Sequence, residues 1–197
     1  MTAPSRPGVP AVFLDRDGTL NEEVGYLYRP EDVVLIPGAR EALARLNARG
    51  IPVLVVTNQA GIGRGKYGWP DFRAVMDRIA ALLAEGGAHL DGTYAAPHHA
   101  DALAPYRHPD HPDRKPNPGM LLRAAREHGV DLSRSWMVGD KELDLGAGRN
   151  AGCRVVLVRT GYGNQVDPGL ADLVAEDLPE AVDRILADLD AVTGGHP

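Results

Sequence analysis

Cysteine is almost absent from this sequence, since Cys153 is the only one among 197 residues. A single cysteine excludes a disulfide within the chain and fits a reducing compartment. Long apolar runs are also missing, because no stretch approaches the roughly 20 residues that span a bilayer. The segment before Val12 is not typical of a signal peptide. We therefore expect a cytoplasmic protein that does not enter membranes.

Basic tracts are absent as well. Lysine and arginine number 21 against 27 acidic residues, which gives a formal net charge of −6. Because no tract could neutralise a phosphate backbone, nucleic acid is not an expected partner. Local basic groups can still bind a small phosphorylated ligand. No large exposed apolar helix face is evident, so we expect a monomer.

The remaining composition is that of a globular protein, with 44% hydrophobic and 24% charged residues. The length suits one domain. We predict a flexible N-terminus over residues 1–10 and a single domain over residues 11–193. Within it, residues 97–113 are rich in proline and histidine and lack periodicity, which predicts a long functional loop.

Strand and helix patterns alternate along this domain. Strands are predicted at Ala11–Asp15, Ile51–Thr57, Gly92–Ala96, Ser135–Gly139, Arg154–Val158 and Ala171–Ala175. Helices are predicted at Gly38–Ala48, Phe72–Leu83, Gly119–His128, Leu143–Asn150 and Pro179–Val192. This alternation predicts an α/β fold with a doubly wound parallel sheet. Such folds place their sites at the carboxyl ends of the strands.

Two of these strand ends carry polar residues that could bind a phosphate. Asp15 and Asp17 follow the first strand and could both face a ligand, although an ordinary Asp-Gly turn is an equal alternative. Thr57 and Asn58 follow the second strand and could donate to phosphoryl oxygens or merely cap a turn. The glycine-rich segment that comes next adds the positive charge of Arg64, a candidate substrate ligand.

Two further strand ends complete the set. Arg114 and Lys115 close the long loop, and a lysine there could neutralise a transferring phosphoryl group or be a solvated surface charge. Asp140 follows the fourth strand and could bind magnesium or cap the next helix. Each signal is modest alone, but their joint occurrence at successive strand ends favours a phosphatase site.

Four segments carry a resemblance to a known family: FLDRDGTLN from Phe13, VVTNQAGIGRGK from Val55, RKPNPGM from Arg114 and MVGDKELD from Met137. They resemble the motifs of the haloacid dehalogenase (HAD) superfamily, in particular its heptose-bisphosphate and histidinol-phosphate phosphatases. The resemblance implies a Rossmann-like HAD fold with a minimal cap and an open site.

The resemblance also implies a mechanism through a covalent aspartyl-phosphate. Asp15 would be the nucleophile, and Asp17 would be the general acid and base. Magnesium would be held by Asp15, the backbone carbonyl of Asp17, and Asp140. Thr57 and Lys115 would bind the phosphoryl oxygens.

The same resemblance suggests the substrate. Asn58 would help to position the phosphoryl group, and Arg114 with Lys115 suits a substrate with a second phosphate. The implied activity is hydrolysis of the C7 phosphate of D-glycero-D-manno-heptose 1,7-bisphosphate. Histidinol phosphate or a broader range of small sugar phosphates is the alternative. A non-catalytic phosphate-binding module is a third possibility, against which the presence of Asp15, Asp17 and Asp140 argues.

The long loop departs from the family pattern. Relatives of this type often bind zinc there through Cys-x-His followed by Cys-x-Cys, whereas this chain has Ala96, His98, His111 and Asp113. His98, His111 and Asp113 could serve as zinc ligands. Because thiolates supply much of the affinity of structural zinc sites, we do not expect zinc and instead predict a loop held by prolines and hydrogen bonds.

Overall fold

A six-stranded, fully parallel sheet forms the centre of the computed structural model, which describes residues 8–193. The strands are β1 (Val12–Leu14), β2 (Val53–Asn58), β3 (Gly92–Ala96), β4 (Trp136–Gly139), β5 (Arg154–Val158) and β6 (Leu173–Ala175). Their order across the sheet is β3-β2-β1-β4-β5-β6. The predicted doubly wound α/β fold is therefore confirmed. The strands from β1 to β3 are added towards one edge of the sheet and those from β4 to β6 towards the other, so the strand order reverses between β1 and β4, where such folds bind ligands.

Helices cover both faces of the sheet. They are α1 (Ala39–Ala48), α2 (Ala60–Gly63), α3 (Trp69–Ala84), α4 (Gly119–His128), α5 (Glu142–Ala151) and α6 (Leu178–Thr193). Helices α1, α3 and α6 pack on one face, and α4 and α5 pack on the other. None of the helices in the described part of the chain is long and apolar enough to cross a membrane.

The side chains of each central strand point alternately to the two faces of the sheet and so pack into both layers of the core. In β1, Val12 and Leu14 pack towards the layer that contains α1 and α6, whereas Phe13 packs towards α4 and α5. Successive side chains of a strand point to opposite faces, so a strand covered on both sides has to be apolar throughout. This is why β1 and β2 appear in the sequence as continuous apolar runs.

Among the predicted elements, the bounds differ most at the start of α3, which begins at Trp69 rather than Phe72. Pro70 occupies the first turn, where its missing N–H needs no partner. Asp71 lies inside this turn, and its carboxylate accepts a hydrogen bond from the Gly68 backbone N–H at 2.8 Å. The aspartate does cap the helix, but from the third helical position.

Two segments were predicted to lack regular secondary structure, the N-terminus and the long loop. Residues 1–7 lie outside the described part of the chain, and Val9 pairs with Val130 beside the sheet. The segment 97–113 contains no helix or strand and only one isolated bridge, between His99 and Arg107. It connects β3 to α4 and ends beside the carboxyl edge of the sheet.

Candidate active site

The carboxyl edge of the sheet brings most of the predicted strand-end residues into one pocket, whereas Asp140 is fully buried and is not among the residues that line it. Asp15 follows β1, and its backbone N–H donates to Val138 O in β4 at 3.0 Å, which extends the sheet pairing to the nucleophile position. Thr57 and Asn58 end β2. The pocket has a volume of about 170 Å³ and is lined by Asp15, Asp17, Glu23, Gly25, Thr57, Asn58, Ala60, Arg114, Lys115, Lys141, Leu143 and Asp144.

Lys115 joins two carboxylates at the floor of this pocket. Its Nζ donates to Asp15 Oδ1 at 2.8 Å and to Val56 O at 2.8 Å, and it lies 2.6 Å from Asp144 Oδ1. The lysine side chain is only 2% exposed. A buried ammonium needs such partners because its desolvation is costly. The arrangement keeps one positive charge in contact with the nucleophile position.

These buried charges control one another's ionisation. Burial opposes ionisation of Asp15, but the charges of Lys115 and Lys141 outweigh it and lower the pKa of Asp15. Burial likewise opposes the charge of Lys115, yet Asp144 and Asp15 raise its pKa. At neutral pH Asp15 is therefore an anion and Lys115 a cation, which are the charge states that their predicted roles as nucleophile and phosphate ligand require.

Asn58, at the end of β2, holds the backbone of Lys115 in place. Its Oδ1 accepts from the Lys115 backbone N–H at 3.0 Å, and its Nδ2 donates to Lys115 O at 3.1 Å. The amide is therefore engaged with the backbone of Lys115, which fits positioning better than direct substrate contact. The hydroxyl of Thr57 accepts from Gln59 Nε2 at 2.9 Å, which leaves its own proton available to a phosphoryl oxygen.

The two predicted arginines have different places. Arg114 lines the pocket and is fixed by donation from its Nη1 to the carbonyl of His98 at 2.9 Å. Arg64 is not among the residues lining this pocket. Its guanidinium donates to Asp101 Oδ1 at 2.9 Å and to the Tyr26 hydroxyl at 3.0 Å, which ties α2 to the long loop. Substrate contact by Arg64 would require it to leave these partners.

Glu23 and Asp144 were not among the predicted site residues, yet they line the pocket together with Lys141. Lys141 Nζ donates to Glu23 Oε2 at 3.1 Å and lies 4.8 Å from the ring centre of Tyr162. Burial opposes its charge, but Asp15, Asp140 and Glu23 together raise its pKa. Asp144 follows Asp140 by four residues and lies in the first turn of α5, and this second carboxylate after the strand is the sequence signal that could have identified it.

Asp140 has the features expected of a cation ligand. Its Oδ2 accepts from the Tyr162 backbone N–H at 2.9 Å, whereas its buried Oδ1 has no hydrogen-bond partner. Burial and the charge of Asp15 raise its pKa to about 7. Oxygen atoms of Asp15, Asp140 and Asp144 lie within 4.8 Å of one another. This oxygen-rich set fits a hard divalent cation such as magnesium. That the backbone carbonyl of Asp17 also binds the cation stays a prediction.

The backbone at two glycines also approaches the Asp140 carboxylate closely. A Cβ atom added to Gly18 would lie 2.3 Å from Asp140 Oδ2, and one added to Gly161 would lie 2.2 Å from it. The carboxylate is therefore enclosed between two glycines that no larger residue could replace without moving it.

The residues considered for zinc lie close together in the long loop. The rings of His98 and His111 stack face to face with their centres 3.4 Å apart, and Asp113 Oδ2 accepts from Arg123 at 2.8 Å. Within residues 8–193, the three carboxylates around Asp140 form the only group of three His, Cys, Asp or Glu ligands that are close enough to share an ion. The expectation that the long loop holds no zinc stays a prediction.

Comparison with known proteins assigns the family. Residues 12–68 match the profile of haloacid dehalogenase-like hydrolases, and residues 113–181 match a second HAD-hydrolase-like profile. The chain is 45% identical over 181 residues to D-glycero-beta-D-manno-heptose-1,7-bisphosphate 7-phosphatase of Mesorhizobium japonicum, covering 92% of this chain and 83% of the relative. It is 46% identical over 191 residues to D-glycero-D-manno-heptose-1,7-bisphosphate 7-phosphatase of Thermosynechococcus vestitus, covering 91% and 97%.

Solved structures agree. A HAD-like phosphatase from Mesorhizobium loti superimposes with a TM-score of 0.83 at 44% identity, covering 95% of this chain and 88% of that one. The D,D-heptose 1,7-bisphosphate phosphatase of B. bronchiseptica, complexed with magnesium and phosphate, has a TM-score of 0.79 at 32% identity and covers 91% and 99%. Fold and site are thus those of a HAD-type phosphomonoester hydrolase. Within that class, the chain belongs to the family of D-glycero-D-manno-heptose-1,7-bisphosphate 7-phosphatases.

Proposed function

We propose that this enzyme hydrolyses the C7 phosphate of D-glycero-D-manno-heptose 1,7-bisphosphate with magnesium as its cofactor. The observation that carries the proposal is the distribution of positive charge in the catalytic pocket. Lys115 is buried against the nucleophile position, whereas Arg114 and Lys141 line the same pocket at more exposed positions. One cation thus serves the phosphoryl group that is transferred, and two more are available for a second phosphate.

The first half of the proposed reaction transfers the phosphoryl group to Asp15. A carboxylate oxygen of Asp15 attacks phosphorus, the bond from phosphorus to the C7 oxygen breaks, and this oxygen takes a proton from the Asp17 carboxyl group. Lys115 and Thr57 hold the non-bridging oxygens during transfer. When bound at Asp15 and Asp140, magnesium supplies positive charge that offsets repulsion between the nucleophile and the phosphate.

The second half returns the enzyme to its starting state. The Asp17 carboxylate takes a proton from water, and the water oxygen attacks the phosphorus of the aspartyl-phosphate. The bond from phosphorus to Asp15 then breaks and inorganic phosphate leaves. Asp15 is again a carboxylate, and Asp17 again carries the proton needed for the next cycle.

Rates on a set of substrates test this proposal. The enzyme should show its highest kcat/KM on heptose 1,7-bisphosphate and release one equivalent of phosphate, leaving the 1-phosphate. Heptose 7-phosphate and histidinol phosphate, which lack the second phosphate, should be poorer. A clearly larger kcat/KM for histidinol phosphate would favour the alternative activity instead.

We further propose that the enzyme acts as a cytoplasmic monomer organised as one catalytic domain over residues 11–193. The single free cysteine is compatible with a reducing compartment. Light scattering during gel filtration should give a mass near 21.0 kDa. A mass of twice this value at micromolar concentration would contradict the monomer.

A further inference from the structure

Arg16 stands between the two catalytic aspartates in the sequence and is 1% exposed. Its guanidinium grips Asp17 with two hydrogen bonds, from Nε to Oδ1 at 2.9 Å and from Nη2 to Oδ2 at 2.7 Å. This fork geometry is the strongest and most directional way in which a protein holds a carboxylate. The resemblance to known phosphatases explains Asp15 and Asp17 but gives no role to the arginine between them.

Two amides complete the coordination of Asp17. Asn21 Nδ2 donates to Oδ1 at 3.1 Å, and Gln59 Nε2 donates to Oδ2 at 3.2 Å. Each carboxylate oxygen of Asp17 therefore accepts one hydrogen bond from Arg16 and one from an amide. Such a set fixes the position and the plane of the ionised carboxylate. A proton on Asp17 would replace one of the two amide hydrogen bonds, while the two bonds from Arg16 stay in place.

The donors are themselves fixed by aromatic residues. Tyr67 donates its hydroxyl proton to Gln59 Oε1, which orients the amide so that Nε2 faces Asp17 and Thr57. The guanidinium of Arg16 lies 5.6 Å from the ring centre of Phe72 in α3. Burial raises the pKa of Tyr67 to about 12, so this hydroxyl keeps its proton and remains a donor at neutral pH.

We infer that Arg16, assisted by Gln59 and Tyr67, is the positioning residue that sets Asp17 for proton transfer. This inference rests on the acid and base role proposed above for Asp17. A general acid is effective only if its proton meets the leaving oxygen at hydrogen-bond distance, and small displacements are costly. Without the fork, the short side chain of Asp17 could turn away from the leaving group.

The test compares two leaving groups, because positioning of an acid matters only where protonation is needed. The leaving group of heptose 1,7-bisphosphate is an alkoxide, which needs the proton. The leaving group of acetyl phosphate is acetate, which does not. In Arg16→Met we expect kcat/KM for the sugar phosphate to fall by about 10²-fold, within the range for general acid catalysis. The value for acetyl phosphate should change only a few-fold. An equal loss on both substrates would mean a merely structural role and overturn the inference.

A double variant shows whether Arg16 acts through Asp17. If it does, Arg16→Met should cost little more when Asp17→Asn is already present, because residues that act as a unit are not additive. Fully additive losses would overturn the inference. Arg40→Met is the matched control, since Arg40 pairs with exposed Glu85 at 2.7 Å and does not line the pocket; both rates should be unchanged.

Two further outcomes keep the inference separate from the proposed function. If Asp17→Asn does not distinguish the leaving groups, the acid role of Asp17 fails and the inference fails with it. If Asp17→Asn does distinguish them and Arg16→Met does not, only the positioning role fails. Should Arg16→Met not fold, Tyr67→Phe decides, with a loss of roughly 3- to 10-fold expected on the sugar phosphate alone; no selective loss would overturn the inference.

Discussion

Asp144 shows at the scale of single residues how one side chain serves structure and chemistry together. Its Oδ2 accepts from the Lys141 backbone N–H at 3.0 Å and so caps α5, while its Oδ1 lies 2.6 Å from Lys115 Nζ. Sequence reasoning gave this residue no role in the site, because an aspartate in the first turn of a helix is explained by capping alone. Only the fold shows that Lys115, from a distant loop, lies against the other oxygen.

Replacing Asp144 should therefore damage the site more than the helix. In Asp144→Asn the buried ammonium of Lys115 keeps only Asp15 as a charged partner, so we expect kcat/KM to fall by about 10- to 100-fold, as for other residues that orient a ligand. Steady-state rates on the sugar bisphosphate measure this. Asn can still cap the helix, so activity near that of the unchanged enzyme would contradict the role given to the Lys115 contact.

At the scale of elements, most strands and helices were predictable because their local patterns agree with the fold. Gly92–Ala96, Arg154–Val158 and Gly119–His128 have the predicted bounds, the last because Gly129 takes a left-handed conformation with φ of 66° that ends the helix. The short helix α2 was not predicted, since three glycines in Gly61–Gly65 disfavour helix. It forms because its glycines permit tertiary contacts that no local pattern reveals.

Gly63 provides one of those contacts. A Cβ atom added there would lie 2.2 Å from the carbonyl oxygen of Pro97, at the start of the long loop. Gly63→Ala should therefore displace the backbone of this loop and lower the free energy of unfolding by about 1–3 kcal/mol. Because Arg114 directly follows the loop, KM for the bisphosphate should rise as well. Chemical denaturation and steady-state kinetics measure the two effects. Gly68→Ala is the control, since its nearest neighbour would be Pro70 Cδ at 3.3 Å; equal effects in both variants would contradict this contact.

The scale of the whole molecule decides which residues become a site. The strand order places the ends of β1, β2 and β4 side by side, although β1 ends at Leu14 and β4 only at Gly139. The parallel sheet and its functional edge were predictable from alternating elements. The engagement of Asn58 with Lys115, and of Arg64 with Asp101, was not, because these contacts depend on how the long loop folds back.

Magnesium should stabilise the whole molecule by relieving repulsion among its buried carboxylates. At a concentration of 100 times its Kd, the gain is about 2.7 kcal/mol, or roughly 5–10 °C in Tm for a protein of this size. Because the pKa of Asp140 is raised to about 7, its proton competes with the cation. The shift in Tm should therefore be larger at pH 8 than at pH 6.

Asp140→Asn is the matching variant for this measurement. Without metal, the folded state holds a proton on Asp140 more tightly than the unfolded state, so its ionisation lowers stability as pH rises from about 4 through 7. Removing the charge should raise the metal-free Tm at neutral pH and abolish the response to magnesium. A normal magnesium response in Asp140→Asn would contradict the assignment of this carboxylate as a ligand.

The central claim, that Asp15 carries the phosphoryl group in a heptose-bisphosphate phosphatase, is tested most directly by one comparison. Phosphate release from heptose 1,7-bisphosphate with magnesium is measured for the unchanged enzyme and for Asp15→Asn, after circular dichroism has shown that both are folded. We expect the unchanged enzyme to release one equivalent of phosphate and the variant to be slower by at least about 10³-fold. Comparable rates in the two proteins would contradict the account.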